Sequence, residues 1–277
     1  MPKTLKSLKT PLRYPGGKSR AIVKLLQFLP DLSRVKEYRE PFLGGGSVAL
    51  EITKRYPNIE VWVNDLYWPL YNFWCELQHN GDDLEKELSN LKGVHCNQDS
   101  ARCLFLEMKD VINDEEKSNF DRAIAFYIVN KCSFSGLTES SSFSGQASDS
   151  NFSIRGIQRL GEYSKIIQSW TITNLCYERM LTDDSNIFTY LDPPYDIKIP
   201  IYGKRGAMHK HFDHDKFASD CDQFTSNMLI SYNSSQVVRD RFKDWNAAEF
   251  DLTYSMRTVG DYMREQQDRK ELVLLNY

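Results

Sequence analysis

The stretch Glu40-Pro41-Phe42-Leu43-Gly44-Gly45-Gly46-Ser47 joins a short strand-like run to a segment whose apolar residues recur at helical spacing. Residues 38–43 carry the strand pattern and residues 47–56 the helical pattern, so the glycines occupy the turn between them. Because glycine has no Cβ, such a turn lets the backbone approach a ligand closely. The stretch therefore predicts a strand, a glycine turn and a helix, which is how an α/β ligand-binding fold begins.

Outside this turn the chain alternates between helical and strand-like patterns. Helical spacing appears in residues 18–29 and 67–77, and strand-like runs appear at residues 59–63, 170–175, 187–191, 228–232 and 272–275. Strands that alternate with helices are typical of a doubly wound sheet. We predict a seven-stranded α/β sheet that is mostly parallel, with one antiparallel strand.

Residues 80–165 differ in composition from the segments on either side. They begin with polar helical patterns rich in Asp, Glu and Lys and end in a Ser-rich run, residues 133–153, with almost no periodic apolar residues. We interpret residues 80–165 as an inserted, mainly helical module that ends in a mobile loop. Residues 1–79 and 166–277 then form the main domain.

Composition narrows the class of protein. A chain of 277 residues can bury one full α/β core with a smaller insertion. It contains neither a run of eighteen apolar residues nor an apolar signal-peptide core, so we expect no membrane span, no export and a cytoplasmic location. The net charge of −3 shows no excess of basic residues, whereas many nucleic-acid binders have one. Basic residues do cluster locally in three places: Lys3, Lys6, Lys9 and Arg13; Arg155, Arg159 and Lys165; and Lys204, Arg205 and Lys210.

Asp65 follows the predicted strand of residues 59–63, about twenty residues after the glycine turn. An acidic residue at this place accepts hydrogen bonds from the two hydroxyls of a ribose. No lysine stands beside Ser47, as it would in a phosphate-binding loop, so an adenosine cofactor without a polyphosphate fits better. The alternatives are an ordinary tight turn for the glycines and a helix N-cap for Asp65.

The stretch Leu191-Asp192-Pro193-Pro194-Tyr195 ends a predicted strand with two residues that lack N–H donors. An amino group conjugated to a base ring is a weak nucleophile, because its lone pair is delocalised. A carboxylate at Asp192 and the carbonyl of Pro193 would accept its two N–H groups, and Tyr195 would stack on a base flipped out of a duplex. The alternative is a Pro-Pro loop that merely caps a strand.

At these motifs the chain resembles the Dam-type (alpha, or D12 class) DNA adenine N6-methyltransferases, over nearly its whole length. Residues 12–18, 41–47, 64–65 and 192–195 match the family's motifs in order. The resemblance implies a Rossmann-like methyltransferase sheet, S-adenosylmethionine as cofactor, and methyl transfer to N6 of adenine in duplex DNA by base flipping. It implies Asp192, Pro193 and Tyr195 as catalytic residues, and as cofactor contacts Tyr14, Lys18, Phe42, Gly44, Gly46, Ser47, Asp65 and Asp192.

Residues 130–137 resemble the stretch with which this family enters its DNA-recognition hairpin. Phe134 is a candidate to wedge into the duplex, or alternatively a buried anchor of the loop. Arginine reads guanine by a bidentate contact and glutamate cannot, so Glu139, which stands where an arginine is expected, argues against a GATC target. The candidate DNA contacts are Phe134, Ser135, Gly136, Leu137, Glu139, Lys204 and Arg205.

Three other activities stay open at this point. The chain could be a cytosine N4-methyltransferase, which uses the same catalytic motif. It could be a protein glutamine methyltransferase, although those enzymes usually have Asn before Pro-Pro-Tyr. It could also be a catalytically silent DNA-binding module, but such a module would leave Lys18, Asp65 and Asp192 unexplained. His209, His211 and His214 match no standard zinc spacing, so we expect no metal. The expected partner is double-stranded DNA, a cognate restriction nuclease is a candidate partner, and we expect a monomer in solution.

Overall fold

The computed structural model describes residues 9–136, 138, 141–196, 212–251 and 270–277. Seven strands of these ranges form one sheet in the order β3-β2-β1-β4-β5-β7-β6. The strands are β1 (Glu37–Glu40), β2 (Glu60–Asn64), β3 (Trp170–Thr173), β4 (Ile187–Leu191), β5 (Asn227–Asn233), β6 (Asn246–Asp251) and β7 (Lys270–Leu275). Strand β7 runs antiparallel to both neighbours, and the remaining pairs are parallel. The predicted α/β sheet with one antiparallel strand is confirmed.

Strand β6 was not predicted by any sequence pattern. It lies at the edge of the sheet, and its residues are exposed or only partly buried. An edge strand with little burial needs no alternation of apolar and polar residues, so its sequence carries no strand signal. The central strand β4, by contrast, is buried at all five positions, and all of them except Thr189 carry large apolar or aromatic side chains.

The order of the strands determines where a ligand can bind. Strand β1 lies between β2 and β4, so the chain leaves β1 toward one side of the sheet and returns on the other. In the register of β1 and β4, Arg39 pairs with Thr189, which brings Glu40 and Asp192 to the same edge. Open α/β sheets bind ligands in the crevice at the carboxyl ends of strands where the order reverses.

The helices of the described ranges fall before the first strand and between the later ones. They are α1 (Ile22–Leu25), α2 (Ser47–Arg55), α3 (Trp68–Val94), α4 (Gln98–Val111), α5 (Asn119–Cys132), α6 (Gly145–Asn151), α7 (Ile154–Ile157), α8 (Leu160–Ile166), α9 (His214–Asp222) and α10 (Gln236–Arg241). Helices α3 to α8 lie between β2 and β3 in the chain. None of the described helices is long and apolar enough to cross a membrane.

Helix α3 runs through the boundary predicted between residues 79 and 80. Its backbone leaves the helical region at Asn80 (φ −124°, ψ 29°), where the helix kinks. Leu77 before the kink and Leu84 after it are both buried in one apolar cluster with strand residues such as Val63. The helices between β2 and β3 therefore share a continuous core with the sheet.

The Ser-rich run of residues 133–153 contains more structure than the mobile loop expected from its sequence. Ser133 forms an isolated antiparallel bridge with Phe143, and helix α6 begins after Ser144, whose hydroxyl accepts the Ala147 N–H. Phe152 is fully buried. Serine side chains cap short helices by such local hydrogen bonds, so a polar run with few apolar residues can still be ordered.

Candidate active site

A cleft lies at the carboxyl edge of the sheet, above the ends of β1, β2 and β4. It is lined by the N-terminal segment 14–18, the turn 40–48 after β1, residues 64–67 after β2 and residues 175–178 after β3. Tyr190, Asp192 and Pro194 close it from β4, with Phe212, Asp213 and Lys216 beside them. All eight residues expected to contact the cofactor line this cleft: Tyr14, Lys18, Phe42, Gly44, Gly46, Ser47, Asp65 and Asp192.

Two glycines of the turn adopt backbone angles that other residues rarely adopt. Gly44 has φ +51° and Gly46 has φ +68°. A Cβ on Gly46 would lie 2.8 Å from the Trp74 ring, and a Cβ on Gly44 would lie 3.0 Å from the Tyr14 ring. The indole Nε1 of Trp74 also donates to the Gly44 carbonyl at 3.1 Å. The turn is therefore packed from both sides and requires glycine at these positions.

Asp65 follows β2 and is 9% exposed. Its carboxylate accepts the Gly44 N–H at 2.9 Å and the Tyr67 N–H at 3.0 Å. Burial raises the pKa of Asp65 to about 6, while these two N–H donors act to lower it. Because Tyr67 is the N-cap of α3, the Asp65 carboxylate connects the glycine turn to the N-terminus of this helix. The glycine turn and Tyr67 both line the cleft.

Asp192 is the first residue after β4, and Lys18 reaches it from the N-terminal segment. The Lys18 ammonium lies 2.6 and 2.7 Å from the two carboxylate oxygens and donates to the Gly16 carbonyl at 3.0 Å. The Lys18 side chain is 2% exposed and that of Asp192 is 21% exposed, so Asp192 faces the cleft while Lys18 lies beneath it. Burial raises the pKa of Asp192 to about 6, although the Lys18 charge acts to lower it.

The two other predicted catalytic residues do not line the cleft. Pro193 is buried, and Pro194 lines the cleft instead. The Tyr195 hydroxyl donates to the Glu271 carboxylate, and the Lys18 ammonium lies 5.0 Å from the ring centroid. The Tyr195 ring also stacks on Tyr232, with centroids 5.9 Å apart. In this arrangement both the hydroxyl and the ring of Tyr195 are engaged by protein groups.

Two buried carboxyl groups at this end were not identified from the sequence. Glu40 ends β1, lines the cleft and accepts the Tyr38 hydroxyl at 2.6 Å. Burial raises the pKa of Glu40 to about 8, and the nearby Asp192 charge contributes to the rise. Glu271, on β7, lies 3.5 Å from the Lys18 ammonium. A charged residue beside an apolar strand run is the signal that identifies Glu271, whereas β1 also carries Glu37 and Arg39 and gives no such signal for Glu40.

Aromatic side chains form one wall of the cleft. The Phe42 ring lies 5.6 Å from the Tyr177 ring and 5.8 Å from the Phe212 ring, measured between centroids. Leu66 and Leu175, which follow β2 and β3, are 52% and 38% exposed at its rim. The aromatic wall and the leucines at the rim therefore offer apolar surface suited to a planar ring.

Phe134 lies outside the cleft, in a short 3₁₀ turn with Ser135 and Gly136 that follows α5. Its side chain is 43% exposed. Arg13 ties the turn to the N-terminal segment, because its Nη1 donates to the Ser133 carbonyl at 2.7 Å. A Cβ on Gly136 would lie 2.6 Å from the Arg13 carbonyl oxygen. The turn that carries Phe134 thus packs directly against the segment that supplies Lys18.

The other expected DNA contacts, Leu137, Glu139, Lys204 and Arg205, lie outside the described residues, as do His209 and His211. His214 begins α9 and shares a hydrogen bond with the Tyr232 hydroxyl. Within the ranges that the structure describes, no three His, Cys, Asp or Glu side chains are grouped to hold a metal ion.

Comparison with known proteins gives one family and several relatives. A profile of the family described as D12 class N6 adenine-specific DNA methyltransferase matches residues 14–256. Type II methyltransferase M.MjaIII of Methanocaldococcus jannaschii is 27% identical over 199 residues, which are 66% of this chain and 68% of that protein. Type II methyltransferase M.CviBI of Paramecium bursaria Chlorella virus NC1A is 19% identical over 285 residues, 98% of this chain and 100% of that protein.

Among solved structures, the rRNA methyltransferase aviRa from Streptomyces viridochromogenes aligns with 100% of this chain and 93% of that one, at 12% identity and a TM-score of 0.36.

The family profile spans the glycine turn, Asp65 and the Asp192–Tyr195 motif. It decides for adenine N6 over cytosine N4, and for DNA over a protein amide. The chain therefore belongs to the D12 class of N6 adenine-specific DNA methyltransferases: it is an enzyme that methylates adenine in DNA.

Proposed function

We propose that the cleft binds S-adenosylmethionine at its Asp65 end and that Asp192 activates N6 of a target adenine at the other end. The observation that carries this proposal is the carboxylate of Asp192, exposed to the cleft at the end of β4 and held from below by Lys18. It shares one cleft with the glycine turn and with Asp65. A nucleotide-like cofactor and a base amine thus have separate binding groups within one crevice.

The donors and acceptors of the cleft fit this cofactor. Asp65 is an acceptor for ribose hydroxyls, and Leu66 and Leu175 offer apolar surface for an adenine ring. Helix α2 begins after Gly46, and in its first turn the Ala49 N–H donates to the Glu40 carboxyl group. When bound, the cofactor supplies a methyl group on a positively charged sulfur, and the Asp192 carboxylate suits that charge.

Asp192 and Pro193 prepare the amine for methylation. The Asp192 carboxylate accepts one N–H of the amino group and the Pro193 carbonyl accepts the other, which returns the lone pair to the nitrogen. As the N–C bond would form, the bond between the methyl carbon and the cofactor sulfur would break, and the ionised Asp192 carboxylate would stabilise the positive charge on N6. The N6 proton that is then lost would leave through this carboxylate, which already accepts that N–H. Lys18 keeps Asp192 oriented and favours its ionised form.

Tyr195 completes the catalytic set as a ring beside the target base. A buried N6 is reached by flipping the adenine out of the duplex, and stacking on an aromatic ring stabilises the extrahelical base. Because the Tyr195 ring contacts Lys18 and Tyr232, we propose that it shifts when a base enters.

We propose that residues 80–165 form the target-recognition part of the enzyme and that residues 1–79 and 166–277 form the catalytic part. The exposed Phe134 and the Arg13 contacts support this division, because they place an aromatic side chain on the surface next to the catalytic segment. Phe134, Ser135, Gly136, Leu137, Glu139, Lys204 and Arg205 are the proposed DNA contacts.

The names of two relatives suggest a biological setting. M.MjaIII and M.CviBI are Type II methyltransferases, so we propose that this enzyme modifies DNA alongside a cognate restriction nuclease. We further propose that it acts as a monomer, in the cytoplasm of the cell whose DNA it modifies.

The test is incubation with tritiated S-adenosylmethionine and unmethylated genomic DNA, followed by chromatography of the nucleosides and sequencing of modified positions. We expect label in N6-methyladenine at one short sequence motif, and none with the Asp192→Asn variant. Label that persists with Asp192→Asn contradicts the proposed catalytic motif. Absence of cofactor binding in a titration contradicts the proposed cleft.

A further inference from the structure

We infer that Glu271 is a positioning residue for methyl transfer, which acts through Lys18 and Tyr195 to hold the Asp192 carboxylate toward the amine. The inference rests on the proposed catalytic role of Asp192. Glu271 comes from β7, the antiparallel strand, whereas the groups it contacts come from the N-terminal segment and from the loop after β4.

The placement of Glu271 is not explained by packing alone. It is 1% exposed, and the three residues that follow it, Leu272, Val273 and Leu274, are fully buried apolar side chains. A buried carboxylate is costly unless it is paired and hydrogen-bonded. Glu271 meets that requirement with site residues: it accepts the Tyr195 hydroxyl and lies 3.5 Å from the Lys18 ammonium. The Glu271 carboxylate on β7 therefore interacts with residues at the catalytic end of the cleft.

Lys18 is shared between two carboxylates. Its ammonium lies 2.6 Å from Asp192 and 3.5 Å from Glu271. Because Glu271 competes for this cation, Lys18 holds Asp192 without fully neutralising it, and Asp192 remains able to accept an N–H from the substrate. Glu271 also accepts the hydroxyl of Tyr195, so one carboxylate contacts both the cation under Asp192 and the aromatic residue that follows the two prolines.

The charged and titratable groups around Asp192 determine what loss of Glu271 does. Lys18 faces it from the N-terminal segment, Glu271 from β7, Glu40 and Tyr38 from β1, and Tyr190 from β4. The negative charge of Glu271 raises the pKa of Asp192, and Lys18 lowers it. Removing the charge of Glu271 therefore shifts the ionisation of Asp192 to lower pH.

The experiment measures single-turnover methylation rates against pH, at saturating tritiated S-adenosylmethionine and unmethylated genomic DNA. For Glu271→Gln we expect the acid midpoint of the profile to move to lower pH. We also expect the plateau rate to fall on the order of ten- to a hundredfold through misplacement of Asp192. In a separate titration, the Kd for the cofactor should change less than about twofold, because Glu271 does not contact the cofactor end. Glu271→Asp keeps the charge, so its midpoint should stay at the wild-type pH while its rate falls.

The matched control is Glu51→Gln, a buried carboxylate on α2 that pairs with Arg55 outside the cleft. It should leave the midpoint unchanged. A folded Glu271→Gln variant with wild-type midpoint and plateau overturns the inference, and if that variant does not fold, a wild-type rate in Glu271→Asp does so. The Asp192→Asn variant distinguishes failure of the proposed function from failure of this inference. Full activity of Asp192→Asn contradicts the proposed function. An inactive Asp192→Asn together with an unaltered Glu271→Gln profile contradicts only the role of Glu271.

Discussion

The two ends of the cleft hold their carboxylates in different ways. Asp65 and Asp192 both follow parallel strands, both border the cleft, and burial raises the pKa of each to about 6. Asp65 is bound by two backbone N–H groups, whereas Asp192 is bound by the side chain of Lys18. Backbone donors in a packed turn stay where they are, but a lysine side chain can exchange partners.

This difference suits the two tasks that we propose. A cofactor site gains from a fixed acceptor, because binding then requires little reorganisation. A catalytic carboxylate must release part of its hold on Lys18 to accept a substrate N–H, and a second carboxylate on Glu271 eases that exchange. Backbone N–H groups therefore hold the Asp65 carboxylate in place, whereas the charges of Lys18 and Glu271 together hold the Asp192 carboxylate.

The largest expected effect follows from removing the carboxylate at the catalytic end. Asp192→Ala should lower the single-turnover rate on the order of 10²- to 10³-fold or more, because charge stabilisation at N6 is lost. Tritium incorporation into DNA measures the rate, and circular dichroism shows whether the fold is kept. The control is Asp244→Ala, an exposed aspartate outside the cleft in the proposed catalytic part, which should be fully active. A tenth or more of the wild-type rate in Asp192→Ala would be incompatible with the proposed role.

The next effect tests the cation that balances this end. Lys18→Gln should reduce the rate at neutral pH on the order of ten- to a hundredfold through loss of orientation. Lys18 holds the pKa of Asp192 down, so its removal raises that pKa further above the ordinary value and moves the acid midpoint to higher pH. This shift is opposite in sign to that expected for Glu271→Gln.

Rate–pH profiles of the two variants, measured side by side, provide the check. Lys24→Gln is the control, because its ammonium donates only to the Asp251 carbonyl in the described part of the molecule and lies outside the cleft. Midpoints that move in the same direction for Lys18→Gln and Glu271→Gln would show that the two residues do not balance each other.

The third effect belongs to the cofactor end. Asp65→Ala should weaken S-adenosylmethionine binding by about ten- to a hundredfold, the size expected for lost hydrogen bonds to a charged acceptor. The single-turnover rate at saturating cofactor should change much less. Isothermal titration calorimetry measures the Kd, with Asp31→Ala as the control, because Asp31 also accepts a backbone N–H but lies outside the cleft. An unchanged Kd would mean that Asp65 serves only the turn.

The smallest effect is the pH dependence of the unmodified enzyme. Asp192 loses its charge as the pH falls below about 6, because its pKa is raised to that value. The methylation rate should therefore fall with decreasing pH below this point, approaching about tenfold per pH unit. Asp65 titrates in the same range, so cofactor Kd should rise there too, and only saturating cofactor separates the two. A flat rate from pH 7 to pH 5 at saturating cofactor would contradict an ionised Asp192 as the active form.

Sequence patterns located most of the sheet and both ends of the cleft. The runs at residues 59–63, 187–191 and 228–232 match β2, β4 and β5 to within one residue at either end, because buried parallel strands are apolar and short. The patterns did not reveal β6, whose edge position demands no apolar residues, nor the capped helix inside the Ser-rich run.

The sequence by itself determined the motifs that depend on neighbouring residues: the glycine turn, Asp65 after a strand, and Asp192 before two prolines. Local periodicity and backbone chemistry specify such features, and a family profile detects them. Only the tertiary structure decided which charges meet. Lys18 and Asp192 lie 174 residues apart in the chain, and Glu271 joins them because β7 pairs antiparallel with β5. Burial and pairing of charges depend on how strands and segments pack, which no local pattern encodes.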